Sequence, residues 1–228
     1  MTVGRRRATA AGFLVVLLSS CAIHPPRFVS TSSRLIVVAT DATGGRSERL
    51  SFFAAVSDED GANDIEYLYV LHRDGELAWV LTADDWVRKE EGGTVWIGSN
   101  GLMAPDGSPN GGALPRGQYQ AILVDLAGER DERTFAVSAP DTSTYRLPSV
   151  TVAGENVDVA SPYPVNTAFF LDTAGNAVKT VPVSPGRTSL DRLWGDTTWR
   201  SGADYLVIYG LSPDAETGFF SWKARLPD

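Results

Sequence analysis

Cysteine and histidine are nearly missing from this sequence. Cys21, His24 and His72 are all there are in 228 residues. A single cysteine excludes an internal disulfide, whatever the redox compartment. Zinc sites need clustered Cys and His, and three scattered residues do not supply one. A Ser-His-Asp arrangement would have to use His24, in a proline-rich stretch, or His72, which reads as an exposed residue beside a turn. No Gly-x-Ser-x-Gly nucleophile elbow occurs. The pairs Gly92-Gly93 and Gly111-Gly112 lack the Lys-Ser/Thr that completes a phosphate-binding loop. Asp84, Asp85, Glu90 and Glu91 could serve a glycosidase only if a carboxylate pair converged in space. The chain therefore reads as non-enzymatic, with no catalytic residues and no cofactor.

Basic residues are also scarce. Lys and Arg number 20 against 28 Asp and Glu, a net charge of −8. That balance excludes nucleic acid as a partner, because phosphates call for a basic patch. No polybasic stretch is present for anionic lipid headgroups. Long apolar runs are missing too: residues 12–18 form the longest and fall short of the roughly 20 residues needed to span a bilayer. Amphipathic helical periodicity is missing apart from one turn around residues 83–86.

What is present begins at the N-terminus. Arg5, Arg6 and Arg7 precede the apolar residues 12–18, and small residues lead into Cys21. This is the layout of a secretory signal peptide. Leu18-Ser19-Ser20-Cys21 resembles the lipobox of bacterial lipoproteins. The resemblance implies cleavage before Cys21 and lipidation of its thiol, with diacylglyceryl and palmitate-like acyl chains as the membrane anchor. It also implies a place in the cell envelope. Ala22, a non-aspartate after the cysteine, points to the outer membrane, the periplasmic or outer face of the cytoplasmic membrane being the other site. Removing residues 1–20 takes away three basic and no acidic residues, which leaves 17 against 28, a net −11.

Residues 21–33 read as a tether, with His24, Pro25, Pro26 and a Ser/Thr cluster. From Leu35 onward, short β runs are separated by turn signals. Residues 65–72 and 76–81 flank Asp74-Gly75, a strong hairpin signal. Residues 118–124 and 133–137 flank a second turn at Gly128. A polar stretch, 140–148, reads as a linker. Strand patterns then resume to the C-terminus. A weak internal repeat aligns Tyr69-Val70-Leu71 before Gly75 with Phe169-Phe170-Leu171 before Gly175. In both copies a Gly-led tyrosine, Tyr119 or Tyr205, then opens an apolar strand. The predicted fold class is all-β: two tandem immunoglobulin-like antiparallel β-sandwiches, at 34–139 and 149–228, after a signal helix (1–20) and the tether. The stretch 117–130 and the acidic turn 56–61 resemble immunoglobulin-like and fibronectin type III-like modules of bacteria. A fold of that kind delivers no activity by itself.

Two residue groups are candidate sites. Asp58, Asp60 and Asp64 place several hard oxygen ligands in one turn, as calcium requires, but Tyr69 stands where an EF-hand loop carries its glutamate. The alternative is an Asx-rich turn that satisfies its own backbone. Trp86, Trp96, Trp194 and Trp199 lie in polar sequence and are candidate ligand contacts; Trp79 and Trp222 read as core. The loop 98–113, rich in Gly, Pro and Asn, reads as a contact loop. These observations predict a lipid-anchored binding or scaffolding module whose partner is an envelope protein or glycan. The alternative is a carbohydrate- or peptidoglycan-binding lipoprotein using loop aromatics.

Overall fold

The computed structural model of the chain describes residues 24–74, 77–105, 112–138 and 144–227. Cys21 and the lipobox-like segment lie outside them, as do parts of the 98–113 loop and of the 140–148 linker. The described chain is all-β, as expected. Its first half contains β1 (Arg27–Ala39), β2 (Arg46–Ser57), β3 (Ile65–His72), β4 (Ala78–Leu81), β5 (Val87–Glu91), β6 (Thr94–Leu102), β7 (Gly117–Asp125) and β8 (Arg130–Val137). Its second half contains β9 (Ser149–Ala153), β10 (Asn156–Ala160), β11 (Val165–Leu171), β12 (Ala177–Pro182), β13 (Gly186–Ser189), β14 (Tyr205–Leu211), β15 (Thr217–Phe220) and β16 (Ala224–Arg225), with two short helices, α1 (Leu190–Trp194) and α2 (Trp199–Gly202).

Each half is a sandwich. In the first, the sheet β1-β2-β6-β5 faces the four-stranded sheet β4-β3-β7-β8. Period-two alternation aims Leu35 of β1, Leu50, Phe52, Ala54 and Val56 of β2, and Ile97 of β6 at Leu68, Val70, Ala121 and Leu123 of the opposite sheet, all within one core. In the second half, β12-β11-β14-β15 faces β13-β10-β9. Ala168, Phe170, Leu206 and Ile208 meet Val157 and Val159 there, and Leu190 and Trp199 of the helices plug the end.

The two halves follow one plan. In the first, β3 pairs with β4 and β7, β7 with β8, and β2 with both β1 and β6. In the second, β11 pairs with β12 and β14, β14 with β15, and β10 with both β9 and β13. The repeat read from Tyr69 and Phe169 therefore marks equivalent hairpins. Tyr119 is fully buried and its hydroxyl donates to Pro115 O at 2.7 Å, the bond of a tyrosine corner.

The halves are fused, a feature the sequence reading did not foresee. β15 of the second runs parallel to β1 of the first, with Leu35 opposite Thr217 and Val37 opposite Phe219. Every other pairing among the described residues is antiparallel. The result is one sheet of nine strands running through both sandwiches. Beneath the seam, Val37, Phe219 and Tyr163 form a small core with Tyr145 and Leu147. The Tyr163 and Phe219 rings stack at 4.5 Å and 5°. Only glycine fits at 210, because a Cβ there would lie 2.4 Å from the Tyr163 ring.

β1 also starts earlier than expected. Residues 27–33, read as tether, pair with β2. Their Ser/Thr side chains face solvent and leave no alternation to detect, while Phe28, 3% exposed, pins the strand end. The outer edges are protected. β5 is exposed throughout and carries Arg88, Lys89, Glu90 and Glu91, and β12 carries Lys179 and ends on Pro182.

Candidate binding groove on the outer sheet face

Residues directly paired across strands share a face. Phe219 is opposite both Val37 and Gly210, so the cores of the two sandwiches lie on the same side of the long sheet. The other side is formed by Arg34, Ile36 and Val38 of β1, Ser47 and Arg49 of β2, Phe169 of β11, Val207 and Tyr209 of β14, and Phe220 of β15. No sheet or helix of the described residues packs on it. Instead it forms a groove of about 830 Å³ centred on the seam, a volume typical of small-molecule sites.

The floor is apolar. Tyr209 and Phe220 meet at 4.9 Å, Phe169 and Phe220 at 5.5 Å, and Ile36, Val38 and Val207 continue the surface. Gly218 makes this possible: a Cβ there would stand 2.4 Å from the Tyr209 ring, which lies flat on β15. Burial holds the Tyr209 phenol above its ordinary pKa, with Arg34 opposing the shift.

The walls are basic. Arg34 donates to Ala215 O at 2.9 Å and to the Tyr209 hydroxyl at 3.5 Å, both neutral acceptors. Lys223 sits over the Tyr205 ring at 4.4 Å and near Trp222 at 5.9 Å. Arg49 Nε and Ser47 Oγ are buried and have no hydrogen-bond partner among the described residues. Ser47 as a whole is 3% exposed. No Asp or Glu lines the groove among the described residues, although acidic residues outnumber basic ones by 28 to 20 in the chain.

The tryptophans offered as ligand contacts do not form one surface. Trp199 is a core residue, 0% exposed, with its indole N–H donating to Asp191 at 2.6 Å. Trp194 packs edge-on against Phe170 and donates to Thr198. Trp86 packs at the margin of the first core. Trp96 lies on the long sheet opposite Ala55, beyond the groove lining. Trp222, read as core, is 41% exposed at the groove rim. His72, read as exposed, is 4% exposed and packs 5.0 Å from Tyr119. Residues 98–102 of the expected contact loop belong to β6.

Asp58, Asp60 and Asp64 do converge, with one carboxylate oxygen of each within 4.8 Å of the others. Asp58 Oδ1 accepts the Asp60 backbone N–H, and Asp58 O accepts that of Gly61, which is an Asx turn closing on itself. Desolvation, and then the neighbouring carboxylates, raise the Asp64 pKa. Of the residues offered as glycosidase acids, Glu90 and Glu91 are solvated on β5, and Asp85 caps Thr82 in the turn expected near residue 84.

Groove residues were missed because each looks like an ordinary strand residue. One signal was available. Leu35-Ile36-Val37-Val38, Tyr205 to Tyr209 and Phe169-Phe170-Leu171 are apolar at consecutive positions, so both faces of these strands are apolar.

No protein-family profile and no curated protein matches this chain. Among solved structures, dimeric latent PorU from Porphyromonas gingivalis is 18% identical over 89% of this chain and 20% of its own, with a TM-score of 0.33. The BSP domain of a biofilm-associated protein is 14% identical over 87% of this chain and 29% of its own, with a TM-score of 0.27. The chain thus spans less than a third of either protein. No helix of the described residues is long and apolar enough to cross a membrane.

Proposed function

We propose that this chain is a non-enzymatic binding module of the cell envelope, held at a membrane by lipid on Cys21, with the outer face of the nine-stranded sheet as its contact surface. One observation carries the reading: an apolar groove with basic and no acidic side chains in its lining, on a face that no other sheet or helix of the described residues covers. Proteins bury or screen such surfaces unless a partner does so. The groove supplies cations, hydroxyls and apolar area, whereas acid–base chemistry needs a group titrating near the working pH. The charged edge β5 and the proline-ended edge β12 disfavour strand addition, so the face rather than the edge is offered to a ligand.

The test places a photo-crosslinking residue at Val38, in the groove, and at Val87, on the exposed edge strand, in the full chain in intact bacterial cells. Membrane recovery and incorporation of an alkyne-tagged palmitate are followed against Cys21→Ser. The expected result is adducts at 38 and not at 87, with label and membrane recovery both lost in C21S. Equal adduct yields at the two positions would remove the groove, and label retained in C21S would remove the anchor.

A further inference from the structure

We infer that the groove binds a single-chain anionic amphiphile, a carboxylate on an acyl chain. This rests on the reading of the outer face as the contact surface and names its ligand. The acyl part is set by the floor. Val38, Tyr209 and Phe220, half-buried, present apolar atoms above Ile36 and Val207, which are each 8% exposed, whereas an extended peptide brings an N–H and a C=O at every residue and needs partners for them. A sugar needs still more. From β11 across β14, β15 and β1 to β2 is four strand spacings, about 19 Å, enough to lay one chain across the seam.

The charge of the headgroup is set by the walls. Arg34, Arg49 and Lys223 face the groove, and no carboxylate among the described residues lines it. Among the described residues Arg49 makes no ion pair, and its Nε and the Ser47 hydroxyl are buried without hydrogen-bond partners. Both buried polar atoms gain a hydrogen bond from a carboxylate placed between them, which relieves a desolvation cost the unliganded fold carries. A free amphiphile fits better than a bilayer surface, because the groove is concave and takes one chain along its floor, whereas a leaflet presents a plane of headgroups. The seam makes the site: Arg34, Arg49, Ile36 and Val38 come from the first sandwich, and Lys223, Tyr209 and Phe220 from the second.

The test uses the full chain with Cys21→Ser, which removes its own acyl groups, prepared without detergent. Dodecanoate, dodecanol and dodecyltrimethylammonium are titrated below their micelle concentrations by calorimetry. Dodecanoate is expected to saturate one site per chain, with the neutral and cationic analogues weaker by about tenfold or more, the scale of a charge-assisted hydrogen bond. Arg49→Gln with Lys223→Gln is expected to lose that discrimination, with the urea midpoint within about 1 kcal/mol of the parent as the report that the fold is intact. Equal affinity for the cationic analogue, or dodecanoate binding untouched by the double variant, overturns the proposal. Binding of an acidic leucine-rich peptide, or of vesicles of anionic phospholipid, in place of dodecanoate also overturns it and reassigns the ligand. If dodecanoate fails while adducts at Val38 persist, the ligand class is wrong and the contact surface stands; if both fail, both readings fall.

Discussion

Phe219→Ala tests whether the seam makes the two sandwiches one cooperative body. Phe219 is 0% exposed, stacks on Tyr163 at 4.5 Å and meets Tyr145 at 5.0 Å. Truncating a buried phenylalanine costs about 3–5 kcal/mol, from lost transfer energy and the cavity left behind. The stacked pair alone contributes about 0.5–1.5 kcal/mol of that. In a chain of this length each kcal/mol moves the melting temperature by about 2–4 °C, so a fall of roughly 6–20 °C is expected. Val165→Ala, at a position 54% exposed, is the control and is expected to stay within about 0.5 kcal/mol of the parent.

Urea unfolding gives the size of the effect, and hydrogen exchange gives its reach. β1 belongs to the first sandwich and β15 to the second, yet they exchange backbone hydrogen bonds along the seam. Phe219→Ala is therefore expected to lower protection in both strands and to shift unfolding of both halves together. A loss below about 1 kcal/mol refutes the packing argument. Loosening of β15 with β1 unchanged refutes the coupling.

Two further perturbations probe the first sandwich. Glu48 is 6% exposed and accepts from Arg116 Nη1 at 2.8 Å, Arg116 Nη2 at 3.0 Å and Leu114 N at 2.8 Å, tying residues 114–116 to β2. Glu48→Gln removes the carboxylate charge facing the Arg116 guanidinium and is expected to cost about 3 kcal/mol in urea unfolding, the low end for a buried pair, because the Arg116 side chain keeps 29% exposure and its bond to Leu114 O. Tyr119→Phe removes the hydroxyl bonded to Pro115 O and is expected to cost about 1 kcal/mol at neutral pH. Burial pushes the Tyr119 phenol up to about 12 from an ordinary 10, so the folded state favours the neutral form. Stability is then whole below pH 10 and falls as pH rises from 10 to about 12, a loss that urea midpoints should show reduced in Tyr119→Phe.

The sandwiches were legible in the sequence because their core strands alternate cleanly. β3 from Leu68 and β7 from Tyr119 bury every second residue, and the sequence sets a glycine, Gly75 or Gly128, between each and its partner. β5 was not legible, since all five of its residues are exposed and its pairing with β6 is a backbone matter. β13 failed for the same reason: Gly186-Arg187-Thr188-Ser189 carries no apolar residue. The tryptophans misled because a polar flank in sequence says little about depth. Thr197 and Thr198 precede Trp199, but the helical turn they start rotates the indole inward onto Leu190 and Phe170.

The groove was hidden for a different reason. Its walls lie some 170 residues apart in sequence and meet only because β15 pairs in parallel with β1. A parallel pair has no turn to announce it, and a crossover this long leaves no local pattern. What the sequence did carry was the consequence. An isolated sandwich needs one apolar face per strand, and Ile36, Val38, Val207 and Phe220 add a second, away from both cores. That surplus lies outside both sandwich cores, with Ile36 and Val207 buried and Val38 and Phe220 half-buried. It becomes a single concave surface only when both outer faces are placed edge to edge, where an apolar floor meets cations with no Asp or Glu among the described lining residues.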